Sequence, residues 1–435
     1  MERLMLDRLA GVVDREVRAR FPAGTVRRVA LLQPGDDPQI GPDELLVRVF
    51  IEASGGPADY QRLLDAWARA HETRMKRMRR ELSLRLPPAR LLEFTIEDPD
   101  GAAPRITMPD DPALTNEPLP PREAVQIAIA HLRASYVFPD RAEQAATAIE
   151  ARLAAGEYDG LSDDTLAERL TGQLDEICAD KHLRVRAIPP HDRREPPGPP
   201  EPDRPDWQER IRPGNYGIYR VERLDGNIGY LDLRGVAPPE LAGPTIAAAM
   251  ELVSGTYALI IDLRRNHGGS PHGVVFWCSY LFDGSDTHFS DIFDAVTGMT
   301  RQFWSLAHVP GHRYLGRPVY VLTSSETFSG GEDLGYTLQA QGRAELIGET
   351  TGGGAHPTRT MPISATLAIS VPHARSINPV TGTNWQGTGV VPDVAVPAAE
   401  AYDVAYAKAL RHVLSLTLPP PIADEARAAL AGLPD

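Results

Sequence analysis

The feature that most constrains this chain is a rhythm that begins after Trp207. Continuous apolar runs, IGYLDLRGV at 228–236, YALIIDLR at 257–264 and PVYVLTSS at 318–325, are separated by stretches with helical character. A strand with one face in water alternates apolar and polar residues. A run without alternation is buried on both faces, which is the habit of a parallel sheet covered by crossover helices. Helices are expected through LAGPTIAAAMELVSG at 241–255, after Gly269 and after Ser329. Strands return through LAISVP at 367–372 and GVVPDVAVP at 389–397, and a helix from Ala399 closes the chain. The expected core is α/β, a mixed and largely parallel sheet.

Three further segments precede it. Residues 122–138, 141–161 and 163–185 carry apolar residues at spacings of three and four, the pattern of a small helical bundle. IPPHDRREPPGPPEPDRPDW at 188–207 is too rich in proline for a helix or a central strand and reads as an exposed connector. Residues 1–115 form a separate α+β unit, with apolar runs at 26–33 and 45–53 and a charged helical pattern at 60–82. Its basic cluster Lys76, Arg77, Arg79 and Arg80 is read as a solvated helix face. The expected domains are thus 1–115, a bundle at 116–188 carrying His182, a linker at 189–207, and an α/β domain at 208–435.

At 435 residues the chain exceeds what one hydrophobic core organises, which agrees with several domains. A formal charge of -14 and a pI near 5.4 disfavour nucleic acid or an anionic membrane as partner, since both demand a cationic face. Cys178 and Cys278 are far apart and lack metal-type spacing, so both are expected in the core. The amino terminus lacks the apolar stretch of a signal peptide and no segment reaches about 18 apolar residues, so the chain reads as cytoplasmic.

Two segments can carry chemistry. In VYVLTSSETFSGGEDLGYTL, at 319–338, a buried strand runs into a turn of small residues and then a helix, with Ser329 at the turn. A serine there can expose its hydroxyl while the Gly330 N–H points at a developing oxyanion. Equally, Ser329 can be an ordinary helix cap. In IIDLRRNHGGSPHG, at 260–273, Gly268 and Gly269 permit close backbone approach to a bound group and can donate a second oxyanion N–H.

Six blocks in order, DKHLRV, GYLDLRGV, IIDLRRNHGG, TSSETFSGGED, GETTGGGAHP and NPVTGTNWQGTGVVPDV, resemble the S41 peptidase family over roughly residues 120–400. The likeness is to the branch of tricorn-type proteases and interphotoreceptor retinoid-binding protein modules. It implies a core of crotonase-like ββα units, a nucleophile at Ser329, and a histidine base carried by the helical segment, His182. The lysine of tail-processing members falls on Gly354, so a serine–lysine mechanism is not implied. A glutamate in a WEG-like turn orients the histidine in this branch, and here that position is Gln386, which brings no charge to favour an imidazolium. His356 is the second candidate for the base. Glu332, one helical turn beyond Ser329, is expected to support the site or cap the helix. Glu349 and Asp262 can hold loops, Lys181 has no assigned role, and His267, His272 and His373 carry no argument. Only about 45 residues separate His182 from Gly229, which leaves no room for the family's PDZ domain.

The resemblance implies a serine peptidase acting through an acyl-enzyme, without metal or organic cofactor, on peptide or protein substrates. The alternative is a module that keeps the fold and binds peptides or small apolar ligands without turnover, for which Gln386 speaks. Related cores often assemble, so a homo-oligomer is open, as is a protein partner recruited by residues 1–115.

Overall fold

The computed structural model describes residues 26–32, 45–51, 89–96, 105–106, 119–188 and 211–434. The charged helical pattern at 60–82 and most of the proline connector lie outside them. The chain divides into two compact units, Met1–Asp111 and Pro112–Asp435.

The apolar runs of the first unit are strands. β1 (Val26–Leu32), β2 (Leu45–Ile51), β3 (Ala89–Ile96) and β4 (Arg105–Ile106) form a four-stranded sheet in that order. The β1–β2 and β3–β4 pairs are antiparallel and β2–β3 is parallel.

The second unit begins with α1 (Pro121–Ser135), α2 (Pro139–Ala154) and α3 (Asp163–Cys178). Proline opens α1 and α2, where its missing N–H costs nothing. Ser162 caps α3 through its side chain. The buried stripe of the three helices, Val125, Ile129, Leu132, Ile149, Leu166 and Leu170, is closed by Ile363, Leu367, Ile369 and Val371 from far downstream in the chain. Those residues belong to or adjoin β14 (Leu367–Pro372), which pairs antiparallel with β13 (Thr358–Pro362) and with β5 (Arg184–Ala187). The bundle therefore shares its core with the β5–β14–β13 sheet.

The main sheet has six strands in the order β16 (Val394–Ala395), β12 (Glu345–Gly348), β11 (Val319–Thr323), β8 (Ala258–Asp262), β7 (Ile228–Leu233) and β6 (Ile218–Leu224). Every pairing is parallel except the β6–β7 hairpin. Its faces separate by residue parity. Leu231, Leu233, Leu259, Ile261, Val319 and Val321 pack with α4 (Pro239–Val253), α5 (Pro271–Ser279) and α6 (Gly330–Ala340). Tyr230, Ile260, Tyr320 and Leu322 pack beneath α7 (Ala401–Ser415) and α8 (Pro420–Ala431). Burial on both faces is why these strands show no alternation, each large apolar side chain contributing about 1.5–3 kcal/mol. A small antiparallel sheet, β10 (Met299–Trp304), β9 (His288–Asp294) and β15 (Ala374–Ile377), completes the unit. Among the described residues no helix is long and apolar enough to cross a membrane.

Candidate active site

β8 and β11 lie side by side and parallel, so the loops after them emerge at the same edge. Carboxyl ends of parallel strands are where such sheets place their ligands. The two loops are tied by hydroxyls. Ser324 Oγ donates to the Arg264 carbonyl at 2.5 Å, and Thr327 Oγ1 donates to the Leu263 carbonyl at 2.8 Å. Asn266, fully buried, donates to the Leu233 carbonyl at 2.9 Å and accepts the Gly268 N–H at 2.9 Å. Its own carbonyl receives the Phe328 N–H.

Ser329 sits at the turn into α6 with φ 54° and ψ -122°. A non-glycine residue in that region costs about 1–3 kcal/mol and persists only where its surroundings over-determine it. Here the determinant is Glu332, whose side chain is completely buried. Its Oε2 accepts the N–H groups of Ser329 and Gly354, each at 2.8 Å. Its Oε1 accepts from Thr351 Oγ1 at 2.5 Å and from the Gly353 N–H at 2.6 Å. Burial raises this carboxyl above its ordinary value, and the four donors pull the other way. Glu332 thus joins the serine turn to the glycine-rich loop at 352–354.

The oxyanion candidates need one revision. The Gly268 N–H is already engaged by Asn266, so it cannot also face a substrate. The N–H groups of Gly269 and Gly330 donate to no described residue, and a Cβ placed on Gly330 would lie 2.9 Å from the Gly269 nitrogen. These two unengaged donors lie close together, one of them at the amino end of α6. Gly269 has φ +149°, and a Cβ there would meet the Val236 carbonyl oxygen at 2.0 Å. Only glycine satisfies that position.

His182 comes from the turn between α3 and β5, and its ring lies 4.6 Å, centroid to centroid, from Phe328, the residue before the serine. A Cβ on Gly354 would stand 2.7 Å from His182 Cε1 and 2.4 Å from Phe328 Cζ, so glycine is what admits both rings. Burial lowers the His182 pKa to about 4. Asp180 pulls it up, and Arg184 and His356 push it further down. The structure brings His182 and Ser329 into one neighbourhood through packing alone, and His182 Nδ1 is buried without a partner.

Gln386 does not serve as that partner. Its Oε1 accepts the Ala355 N–H at 2.8 Å, which fixes the amide orientation, and its Nε2 is a second buried nitrogen without a partner. His356 is bonded elsewhere, its Nδ1 lying 2.7 Å from Asp180 Oδ2. Lys181 donates to the Gly352 carbonyl at 2.6 Å and so links the His182 turn to the glycine-rich loop. Glu349 receives the N–H groups of Ser325 and Ala398, while Asp262 pairs with Arg264 and Tyr230, so both carboxylates hold loops. His267 is exposed, His272 stands edge-on to Phe303, and His373 lies 3.5 Å from Asp294.

Two residues with structural command of the site escaped the sequence reading, Asn266 and Asp180. The available signals were an asparagine two positions before a Gly-Gly pair and an aspartate two positions before the histidine, both suited to turning the chain on their own side chains.

Fold and site together define a class, α/β proteins that present a serine on a strained strand-to-helix turn beside free backbone donors. Two family models give the particular assignment. Residues 227–396 match peptidase family S41, and residues 121–212 match the N-terminal domain of peptidase S41 in eukaryotic IRBP. The chain belongs to peptidase family S41.

Solved structures with a similar course include a lipoprotein from Streptococcus agalactiae, at 11% identity and TM-score 0.43, covering 66% of this chain and 96% of that one. The photosystem II D1 C-terminal processing protease matches at 13% identity and TM-score 0.39, over 64% of this chain and 93% of that one. The tricorn protease matches at 14% identity and TM-score 0.42, over 77% of this chain and 38% of that one.

Proposed function

We propose that this chain is a serine-type peptidase in which Ser329 is the nucleophile and His182 its base. Ser329 Oγ bonds to the carbonyl carbon of a peptide substrate as its proton passes to the imidazole. The carbonyl π pair moves to oxygen, where the Gly269 and Gly330 N–H groups receive it. The imidazolium then returns the proton to the departing amine, and water attacks the acyl-enzyme by the same route in reverse. A base must be neutral to act, and burial keeps His182 neutral at pH 7.

The observation that carries this reading is the Ser329 backbone. An N-cap ordinarily sits in the extended region, and Ser329, although it shares a capping box with Glu332, is held instead at φ 54° and ψ -122°. The test is labelling of the purified chain by a fluorophosphonate. Labelling of the wild type that is lost in both Ser329→Ala and His182→Ala is expected. A folded wild type that takes no label refutes the reading.

One observation favours a binding module instead. Gln386 brings no charge, and neither its Nε2 nor His182 Nδ1 has a partner. A folded chain that binds peptide or an apolar probe reversibly and takes no label is the outcome that selects it. Recruitment of a protein partner by residues 1–115, self-assembly and residence in the cytoplasm belong to the same proposal.

A further inference from the structure

Asp180 is 1% exposed, and no lysine or arginine among the described residues pairs with it. Its Oδ1 accepts the backbone N–H of His182 at 3.1 Å. Its Oδ2 lies 2.7 Å from His356 Nδ1 and 3.5 Å from the Tyr136 hydroxyl. A carboxylate in that position has two physical consequences. It shapes the turn that carries His182, as an aspartate bonding two residues onward does. It also places a negative charge, shielded from water, two residues from a base that becomes cationic each time it takes a proton. A buried charge interacts far more strongly than one in solvent.

We propose that Asp180 is the positioning carboxylate for His182, supplying from within the histidine's own turn the charge that Gln386 does not bring. The proposal rests on the peptidase reading for its catalytic meaning, while its electrostatic content is a property of the pair alone. His356 is then the group that fixes Asp180 Oδ2, with Phe138 packed edge-on against its far side at 5.3 Å. The ionisable groups that act on the His182 ring are Asp180, Arg184 and His356, and Asp180 alone favours the cation.

The test measures the fluorophosphonate labelling rate at Ser329 and the His182 imidazole titration by NMR, in the full chain. Asp180→Asn is expected to slow labelling about 10- to 100-fold and to move the His182 pKa further down, since one pKa unit corresponds to about a tenfold change in the charged fraction. Adding Gln386→Glu to Asp180→Asn is expected to recover at least about a third of the wild-type rate by returning a negative charge to the site. Should the asparagine variant fail to fold, Asp180→Ser keeps an oxygen acceptor for the turn while removing the charge, with the same expected outcome.

Labelling within threefold of wild type in the uncharged variant overturns the proposal. So does a loss of labelling in which the His182 titration stays put and Gln386→Glu restores nothing, since that is how a purely structural role behaves. If the folded wild type takes no label, the peptidase reading falls, and the titration decides this proposal by itself. A downward shift in the uncharged variant sustains it, and no shift removes it.

Discussion

The two halves of the site are built to different standards. On the serine side, Glu332 has four donors on its two oxygens, Asn266 uses both ends of its amide, and the Ser324 and Thr327 hydroxyls find carbonyls. On the histidine side, His182 Nδ1 and Gln386 Nε2 are buried with nothing to bond. The first half is pre-organised and holds strain. The second leaves two polar atoms at a cost of about 1–3 kcal/mol each, and natural proteins tolerate that mainly where a role demands it. The contrast teaches that the geometry around Ser329 is a property of the folded chain alone, whereas the proposed base, His182, is left to be oriented by charge or by what enters the site.

The comparison breaks most easily on the serine side. Glu332→Gln puts an NH2 group against backbone donors in a sealed pocket. It is expected to cost about 3 kcal/mol of stability, read as a fall in the denaturation midpoint, and to reduce labelling more than a hundredfold. If Glu332→Gln is as stable as wild type, the rigid half is less rigid than its bonds imply. Gly354→Ala attacks the join between the halves, because the new methyl group meets Phe328 and the His182 ring together. A cost of about 1–3 kcal/mol is expected, with labelling lost more completely than stability. Equal labelling in both proteins would show that His182 need not sit against Phe328.

Gln386→Glu sharpens the contrast in the other direction. A carboxylate at this position adds a negative charge to the site, and labelling is expected to rise about tenfold or more. A fall would mean that Gln386 acts through the Ala355 N–H instead. The smallest effect is the pH profile. If His182 acts as the neutral base proposed above, labelling holds through pH 6.5 and declines only as pH falls through about 4. Folding stability follows the same sign. Between pH 6.5 and about 4 the unfolded chain takes up a proton that buried His182 refuses, so acidification across that window weakens the fold. An acid limb at 6.5 would place the base in water.

Legibility in the sequence followed burial. Strands β7, β8 and β11 were readable because both faces are covered, leaving unbroken apolar runs such as Ala258–Asp262. β9, β10 and β13 were not, since strands such as Met299–Trp304 are mostly exposed and carry neither alternation nor a continuous run. α8 also escaped, with a single fully buried residue, Ala426. Ser329 and Gly330 stood out through the ordered blocks that resemble the S41 family, since the turn alone left an ordinary helix cap open. Asp180 and Asn266 did not, because what they do is set by partners at positions 356 and 233 that no local pattern announces. The choice between Gly268 and Gly269 was illegible for the same reason, one asparagine amide deciding which N–H stays free.

The core shared by α1, α2 and α3 with β14 carries a consequence for how the site can be divided. His182 and Ser329 are 147 positions apart, yet their arms are clasped by Leu132, Leu166, Ile369 and Val371 and by the β5–β14 ladder. The covalent link between the arms runs through residues 189–210, while the clasp itself is made of apolar packing and backbone hydrogen bonds. A chain cut between 188 and 211 is therefore expected to keep its two pieces together, which co-elution on a sizing column checks.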